Sequence, residues 1–256
     1  MPRYAVGGWL PDPVDPRDIP AAFPPAPAHI VEVDLRKQCP PVMDQGSHST
    51  CVAHGGMVGF LGALFVEGYP RTMLSRAYSY WRAREEAGLD PSADDGTYIR
   101  AWVKAMVKSG APPETEWTYD DAHLCHKPTT AATRSALRWQ LLPGYHSVGL
   151  TPDGIRAALA VGHPVIFGMD VYSNFMDVGA SGVIPMPRGA NEGGHCMAIV
   201  GFFDEATAEA PAQSFLLQNS WGTNWGRHGY GYLPYEALGA CRASDGWTLV
   251  NVEHGA

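Results

Sequence analysis

The chain has 256 residues, a net charge of −8, and 45% hydrophobic against 17% charged residues. That apolar content suffices for one large domain or two small ones. The acidic balance and the lack of a basic run argue against nucleic acid as partner, because phosphate neutralisation needs clustered Lys and Arg, and no apolar stretch is long enough to make a membrane a partner.

Residues 1–33 stand apart. Eight of the 22 prolines fall there, with Asp12, Asp15 and Asp18 between them. Proline fixes φ and removes a backbone donor, so an extended segment is expected. It is either a tail or a strap lying in a groove of its own chain. Val31 to Leu35 alternates apolar and acidic residues, a short strand signal. A helix is predicted from Cys51 to Glu67, which contains no proline and follows the good N-cap types Ser49 and Thr50. Gly55, Gly56, Gly59 and Gly62 lower its intrinsic propensity, so packing must hold it. Two further helices are predicted over Ser75–Gly88 and Tyr98–Ser109. In the second, Ile99, Trp102, Val103, Met106 and Val107 form one apolar stripe that reads as core.

After about Leu141 the period changes. Thr151-Pro152 starts a short helix that ends near Gly162. Strand-like runs follow over Pro164–Tyr172, His195–Phe203, Ser214–Asn219 and Gly229–Leu233, punctuated by Gly and Pro as in a small antiparallel barrel. The expected organisation is a proline-rich segment over 1–33, a mainly helical part over 34–140 and a mainly β part over 141–256. Five cysteines at irregular spacing (Cys39, Cys51, Cys125, Cys196, Cys241) do not read as a disulfide framework. The Met1-Pro2-Arg3 start lacks a secretory apolar region. Cytoplasmic synthesis is expected, with signal-independent export left open.

Three segments carry chemistry: Asp44-Gln45-Gly46 leading to Cys51, Gly193-Gly194-His195, and Gln218-Asn219-Ser220-Trp221-Gly222. Together they supply a thiol, an imidazole, a carboxamide to orient it and a second carboxamide ahead of the thiol. These are the parts of a cysteine nucleophile that attacks an acyl carbon. A helix N-terminus stabilises a thiolate, and an adjacent imidazolium would lower the Cys51 pKa further. Taken singly, Cys51 reads as a small buried hydrophobe, His195 as a structural histidine, Asn219 as a turn residue and Gln45 as a loop residue. His48, Cys51, His54, His195 and Cys196 are also soft metal ligands, but no second tight pair accompanies them, so neither metal nor cofactor is expected.

The sequence resembles the papain-like cysteine peptidases. The matching residues are Val33-Asp34-Leu35-Arg36, Asp44-Gln45-Gly46 with Cys51, Gly194-His195, and the long run from Asn219-Ser220-Trp221-Gly222 to Gly229-Tyr230. Cys51 and His195 are 144 residues apart, within the span of about 130–150 typical of that family. The resemblance implies an α+β fold, with a helical left half and a barrel-like antiparallel right half around the cleft. It implies Cys51 as nucleophile, His195 as base and acid, Asn219 as its orienting group and Gln45 as oxyanion donor. Gly96, Gly193, Gly194, Cys196 and Trp221 are the expected substrate-side positions, Gly96 being half of a usual Gly-Gly pair. The family's disulfide-forming Cys three residues before the nucleophile is replaced by His48, and the aromatic residue after it by Val52.

Gly8-Trp9, Asp12, Asp15-Pro16-Arg17-Asp18, Leu74-Ser75, Tyr80-Trp81, Asp94-Asp95-Gly96 and Asp245-Gly246-Trp247 resemble the short-prosegment microbial members of the family, the xylellain type. That resemblance favours the strap over the tail, with Trp9 as anchor. The expected partners are a polypeptide substrate and the chain's own N-terminal segment, in a monomer. Acyl transfer to an amine by the same chemistry, and a non-catalytic binding module on a retired peptidase fold, are the competing functions.

Overall fold

The computed structural model describes residues 4–140 and 144–250. Leu141, where the sequence period changes, and the Met1-Pro2-Arg3 start fall outside the described residues. Two short strands come first, β1 (Trp9–Leu10) and β2 (Glu32–Asp34). The predicted central helix follows as α1 (Cys51–Val66), buried along almost its whole length. Its glycines have a packing reason. A Cβ on Gly56 would come within 2.6 Å of the Trp102 ring, and one on Gly59 within 2.9 Å of Ile166. The helix is therefore squeezed from two sides, and close approach compensates the low propensity.

Next come α2 (Arg76–Glu86), β3 (Thr97–Tyr98) and α3 (Ile99–Ser109). Ser75 caps α2 by accepting from the Tyr78 N–H at 3.0 Å. The apolar stripe of α3 faces inward, with Ile99, Trp102, Val103 and Met106 buried. Helix α4 (Thr130–Ala136), capped by Thr129, and strand β4 (Gly144–Ser147) were not legible in the pattern. Then follow α5 (Pro152–Ala160), β5 (Val165–Tyr172), β6 (Asn191–Phe203), β7 (Ser214–Gln218), β8 (Tyr230–Pro234), the short α6 (Ala237–Ala240) and β9 (Ser244–Val250).

Seven of these strands form one antiparallel sheet in the order β4-β9-β5-β6-β7-β8, with β2 also pairing β6. Helix α1 packs on β5, β6 and β9 and also against α2 and α3. The α+β class holds. β6 carries its pleat from the open edge of the molecule into the core: Asn191 is exposed, whereas His195 to Phe203 are buried.

The proline-rich segment is a strap. β1 pairs with β3 in parallel, Trp9 opposite Thr97 and Leu10 opposite Tyr98. Further along, Ser147 of β4 donates to the Ile19 carbonyl at 2.9 Å, and Ala21 donates to the Ser147 carbonyl at 2.8 Å. β2 then enters the main sheet.

Candidate active site

Cys51 is the first residue of α1 and is fully buried. Thr50 stands at the N-cap but makes no side-chain cap; its hydroxyl turns to Tyr119 and His54 instead. The amides of the first turn stay unpaired within the helix. The backbone N–H groups of Cys196, Val52, Cys51 and Gly8 lie against the thiol.

His195 sits on β6 opposite Met169 of β5. Its Nε2 donates to Asn219 Oδ1 at 2.8 Å. The same oxygen accepts the Ser220 N–H at 2.7 Å, which fixes the carboxamide with its oxygen toward the ring. The proton is thereby held on Nε2, and Nδ1 keeps its lone pair. Nδ1 is buried and has no hydrogen-bond partner. Trp221 stacks on the imidazole at 4.6 Å and shields the Asn219 bond from water.

Gln45 is fully buried. Its Oε1 accepts from Ser220 Oγ at 2.6 Å and its Nε2 donates to the His48 carbonyl at 2.7 Å. One Nε2 proton is left for a ligand. The Gln45 N–H also donates to the Ser220 carbonyl at 2.8 Å, so the loop before the thiol is tied to the loop after Asn219. His48, which stands where the family places a cysteine, is held between Asp94 at 3.1 Å and Asp121 at 3.0 Å. All five cysteines are free.

Residues 4–12 fill the cleft. A Cβ on Gly8 would come within 2.9 Å of Cys51 Sγ, so only glycine lies there without displacing something. The Thr97 N–H donates to the Gly8 carbonyl at 3.1 Å and the Gly7 N–H to the Gly194 carbonyl at 2.7 Å. Tyr4 stacks on Trp221 at 4.6 Å, and Trp221 Nε1 donates to the Ala5 carbonyl at 3.2 Å. The Trp9 ring lies over Gly168 and Gly194, where any Cβ would strike it. Trp9 Nε1 donates to Asp245 Oδ2 at 3.0 Å, and the Asp12 N–H donates to the same oxygen at 2.8 Å. Asp12 in turn accepts from Trp247 Nε1 at 2.9 Å and from the Arg100 N–H at 3.1 Å.

Of the expected substrate-side positions, Gly96, Gly193, Gly194 and Trp221 all touch the strap. Cys196 is buried, its sulfur packed against Gly55 of α1. Gly168 and the pairing of Asp12 with Asp245 escaped sequence reasoning. Both aspartates belong to quoted motifs, but 233 residues separate them and no local signal joins them. Among the described residues, no group of three or more His, Cys, Asp or Glu is placed to hold a metal.

The strap sets the electrostatics. Burial pushes the Cys51 thiol up to about 12, against the pull of the surrounding backbone amides. Burial also pushes His195 down to about 4, against the Asn219 bond. A thiolate–imidazolium pair is the sequence expectation; burial in the covered site opposes both charges and favours the neutral thiol and the neutral imidazole. Desolvation outweighs the helix terminus here.

Comparison with known proteins follows the same pattern. The profile described as "Papain family cysteine protease" matches residues 30–248. An uncharacterized peptidase C1-like protein of Acanthamoeba polyphaga mimivirus is 30% identical over 239 residues, covering 86% of this chain and 74% of its own. A cathepsin B-like protein of Giardia intestinalis is 28% identical, covering 75% of this chain and 63% of its own. Among solved structures, xylellain, a cysteine protease from Xylella fastidiosa, aligns with a TM-score of 0.82 at 29% identity over 98% of both chains. The proform of the ragweed pollen allergen Amb a 11 shares the fold, with a TM-score of 0.72 at 23% identity, covering 90% of this chain and 68% of its own.

Proposed function

Because the chain belongs to the papain family of cysteine proteases, we propose that it cleaves polypeptides through a Cys51 thioester and that the strap-covered form is its resting, self-inhibited state. The observation that carries the chemistry is the His195–Asn219 bond, which leaves Nδ1 as the basic nitrogen. The observation that carries the inhibition is the Gly8 backbone seated on the thiol.

Once the strap leaves, water re-enters and the desolvation that keeps both groups neutral is relieved. Nδ1 takes the thiol proton, and the sulfur attacks the scissile carbonyl carbon. The developing oxyanion is met by the free Gln45 Nε2 proton and the Cys51 N–H. The imidazolium gives its proton to the leaving amine, whose bond to carbon breaks. Water then attacks the thioester, losing a proton to Nδ1, and the acid product departs as the thiol is restored. Asn219 holds the ring tautomer throughout, and Trp221 covers that bond.

The strap suits inhibition. It runs parallel to β3 along the cleft edge and is anchored by Trp9, which is 5% exposed. Being tethered, it acts at high effective concentration. The test is alkylation of Cys51 by an epoxysuccinyl peptide in the full chain, compared with full-length Trp9→Ala. Truncating a buried Trp costs about 3–5 kcal/mol of packing, so labelling and peptide turnover should rise together. Equal labelling of both chains would leave residues 4–12 without an inhibitory role. Labelled chains that turn over no peptide would refute the hydrolytic reading.

A further inference from the structure

Behind the oxyanion hole lies a buried polar chain that the mechanism above does not use. His54, one turn into α1, is 1% exposed. Its Nδ1 is 3.0 Å from the Thr50 carbonyl, and its Nε2 is 3.3 Å from Arg76 Nη1. A guanidinium has donors only, so Nε2 accepts and the ring proton must sit on Nδ1, donated to Thr50 O. Burial, then the Arg76 charge, push His54 down to about 3, so the ring is neutral at working pH. Arg76 Nη2 donates to Glu114 Oε1 at 2.9 Å, and its guanidinium lies 4.5 Å from the centre of the Tyr119 ring. Tyr119 Oη donates to the Gln45 carbonyl at 2.9 Å and receives the Thr50 hydroxyl at 2.6 Å. The Tyr119 N–H is pinned to Glu114 Oε1 at 2.7 Å.

We infer that Arg76, His54 and Tyr119 are positioning residues of the oxyanion hole, acting on the two backbone segments that carry its donors. The Thr50 carbonyl and the Cys51 N–H belong to one peptide unit. A hydrogen bond that draws electron density from that carbonyl makes its N–H a stronger donor, and a cation at the far end of the chain reinforces the pull. Tyr119 fixes the Gln45 main chain, from which the second donor projects. Both donors are thus aimed before charge develops, so no reorganisation is needed during reaction. A purely apolar filling would occupy the same volume without desolvating an imidazole and a guanidinium. The inference rests on the oxyanion role of Gln45 proposed above.

The test uses the full-length chain carrying Trp9→Ala, with kcat expressed per titrated thiol. In that background Gln45→Ala should lower kcat about 10²–10³-fold. Arg76→Gln and Tyr119→Phe should each lower it about tenfold with KM unchanged, because they act only as charge builds. Arg76→Lys, which keeps a charged donor, should recover most of the loss. Tyr119→Phe added to Gln45→Ala should cost little more, since the two share one donor. If Gln45→Ala is harmless, the oxyanion reading fails and this inference falls with it. If Gln45→Ala is costly but Arg76→Gln and Tyr119→Phe change only KM or melting temperature, the positioning role alone is refuted. Should the opened chain show no turnover, the Cys51 amide resonance of the full chain decides. It should move in Arg76→Gln and return in Arg76→Lys; an unmoved resonance refutes the role.

Discussion

Strap docking should weaken as pH rises, and Asp12 sets the window. In the docked strap its carboxyl is pushed from the ordinary 3.8 up to about 6, first by burial and then by the facing Asp245 carboxylate. Asp245 is itself raised, chiefly by burial. The groups around the pair are Trp9 Nε1, Trp247 Nε1 and Arg100, whose guanidinium is already committed to Asp18 at 2.7 Å. A docked group with a raised pKa binds its proton more tightly than the free group does. Docking is therefore strongest below about pH 4, where Asp12 is protonated in both states. That advantage is lost as pH climbs through about 6. A rise of about two pKa units corresponds to about 3 kcal/mol, at most a hundredfold in the docking equilibrium. The assay is the rate of Cys51 alkylation in the full chain from pH 4.5 to 8, divided by the rate in Asp12→Asn. Asparagine mimics the protonated carboxyl, and the ratio cancels ordinary thiol ionisation. The ratio should already stand a few-fold above one at pH 4.5, climb by about another order of magnitude as pH passes through about 6, and stay level near a hundredfold beyond it. A flat ratio, or one that falls with pH, would sink the argument.

Gly8→Ala places a Cβ within 2.9 Å of the thiol, so the strap should dissociate, seen as rapid Cys51 labelling and loss of Tyr4–Trp221 stacking in near-UV circular dichroism. In a strap-opened chain, Cys51 should alkylate ahead of Cys39, Cys125, Cys196 and Cys241, whose thiols are all pushed up by burial; peptide mapping after brief exposure reads this. Melts with and without reductant should coincide, since all five cysteines are free; a drop of several degrees on reduction would reveal a disulfide, whose loss costs about 2–5 kcal/mol in small domains.

What the sequence revealed tracks how local its physics is. α1 was legible from the cap types before Cys51 and the proline-free run after it, and the strands β5 to β8 as strand-like runs punctuated by Gly and Pro. The candidate groups Cys51, His195, Asn219 and Gln45 could be singled out because each lies in a distinctive short segment. β9 was missed because Asp245-Gly246 reads as a turn, yet Ser244–Val250 pairs with both β4 and β5. Such pairing depends on partners about a hundred or fewer residues upstream, not on neighbours. Thr50 was read as a cap, but Tyr119, 69 residues away, competes for its hydroxyl. The burial that opposes charge on Cys51 and His195 was invisible for a related reason: Gly8, Trp9 and Tyr4, from the other end of the chain, help to cover the site.

The bridge at Ile19–Ala21 gives the strap a second consequence, for solubility. β4 is the last strand of the main sheet, and Ser147 offers its outward backbone groups to Ile19 and Ala21. An uncovered strand edge is a template for pairing with another chain. Where the strap is cut therefore matters twice. A cut between Leu10 and Asp18 would open the cleft and leave the edge capped. A chain trimmed to Val31 would open the same cleft but bare β4, and should self-associate with rising concentration while remaining as reactive per monomer.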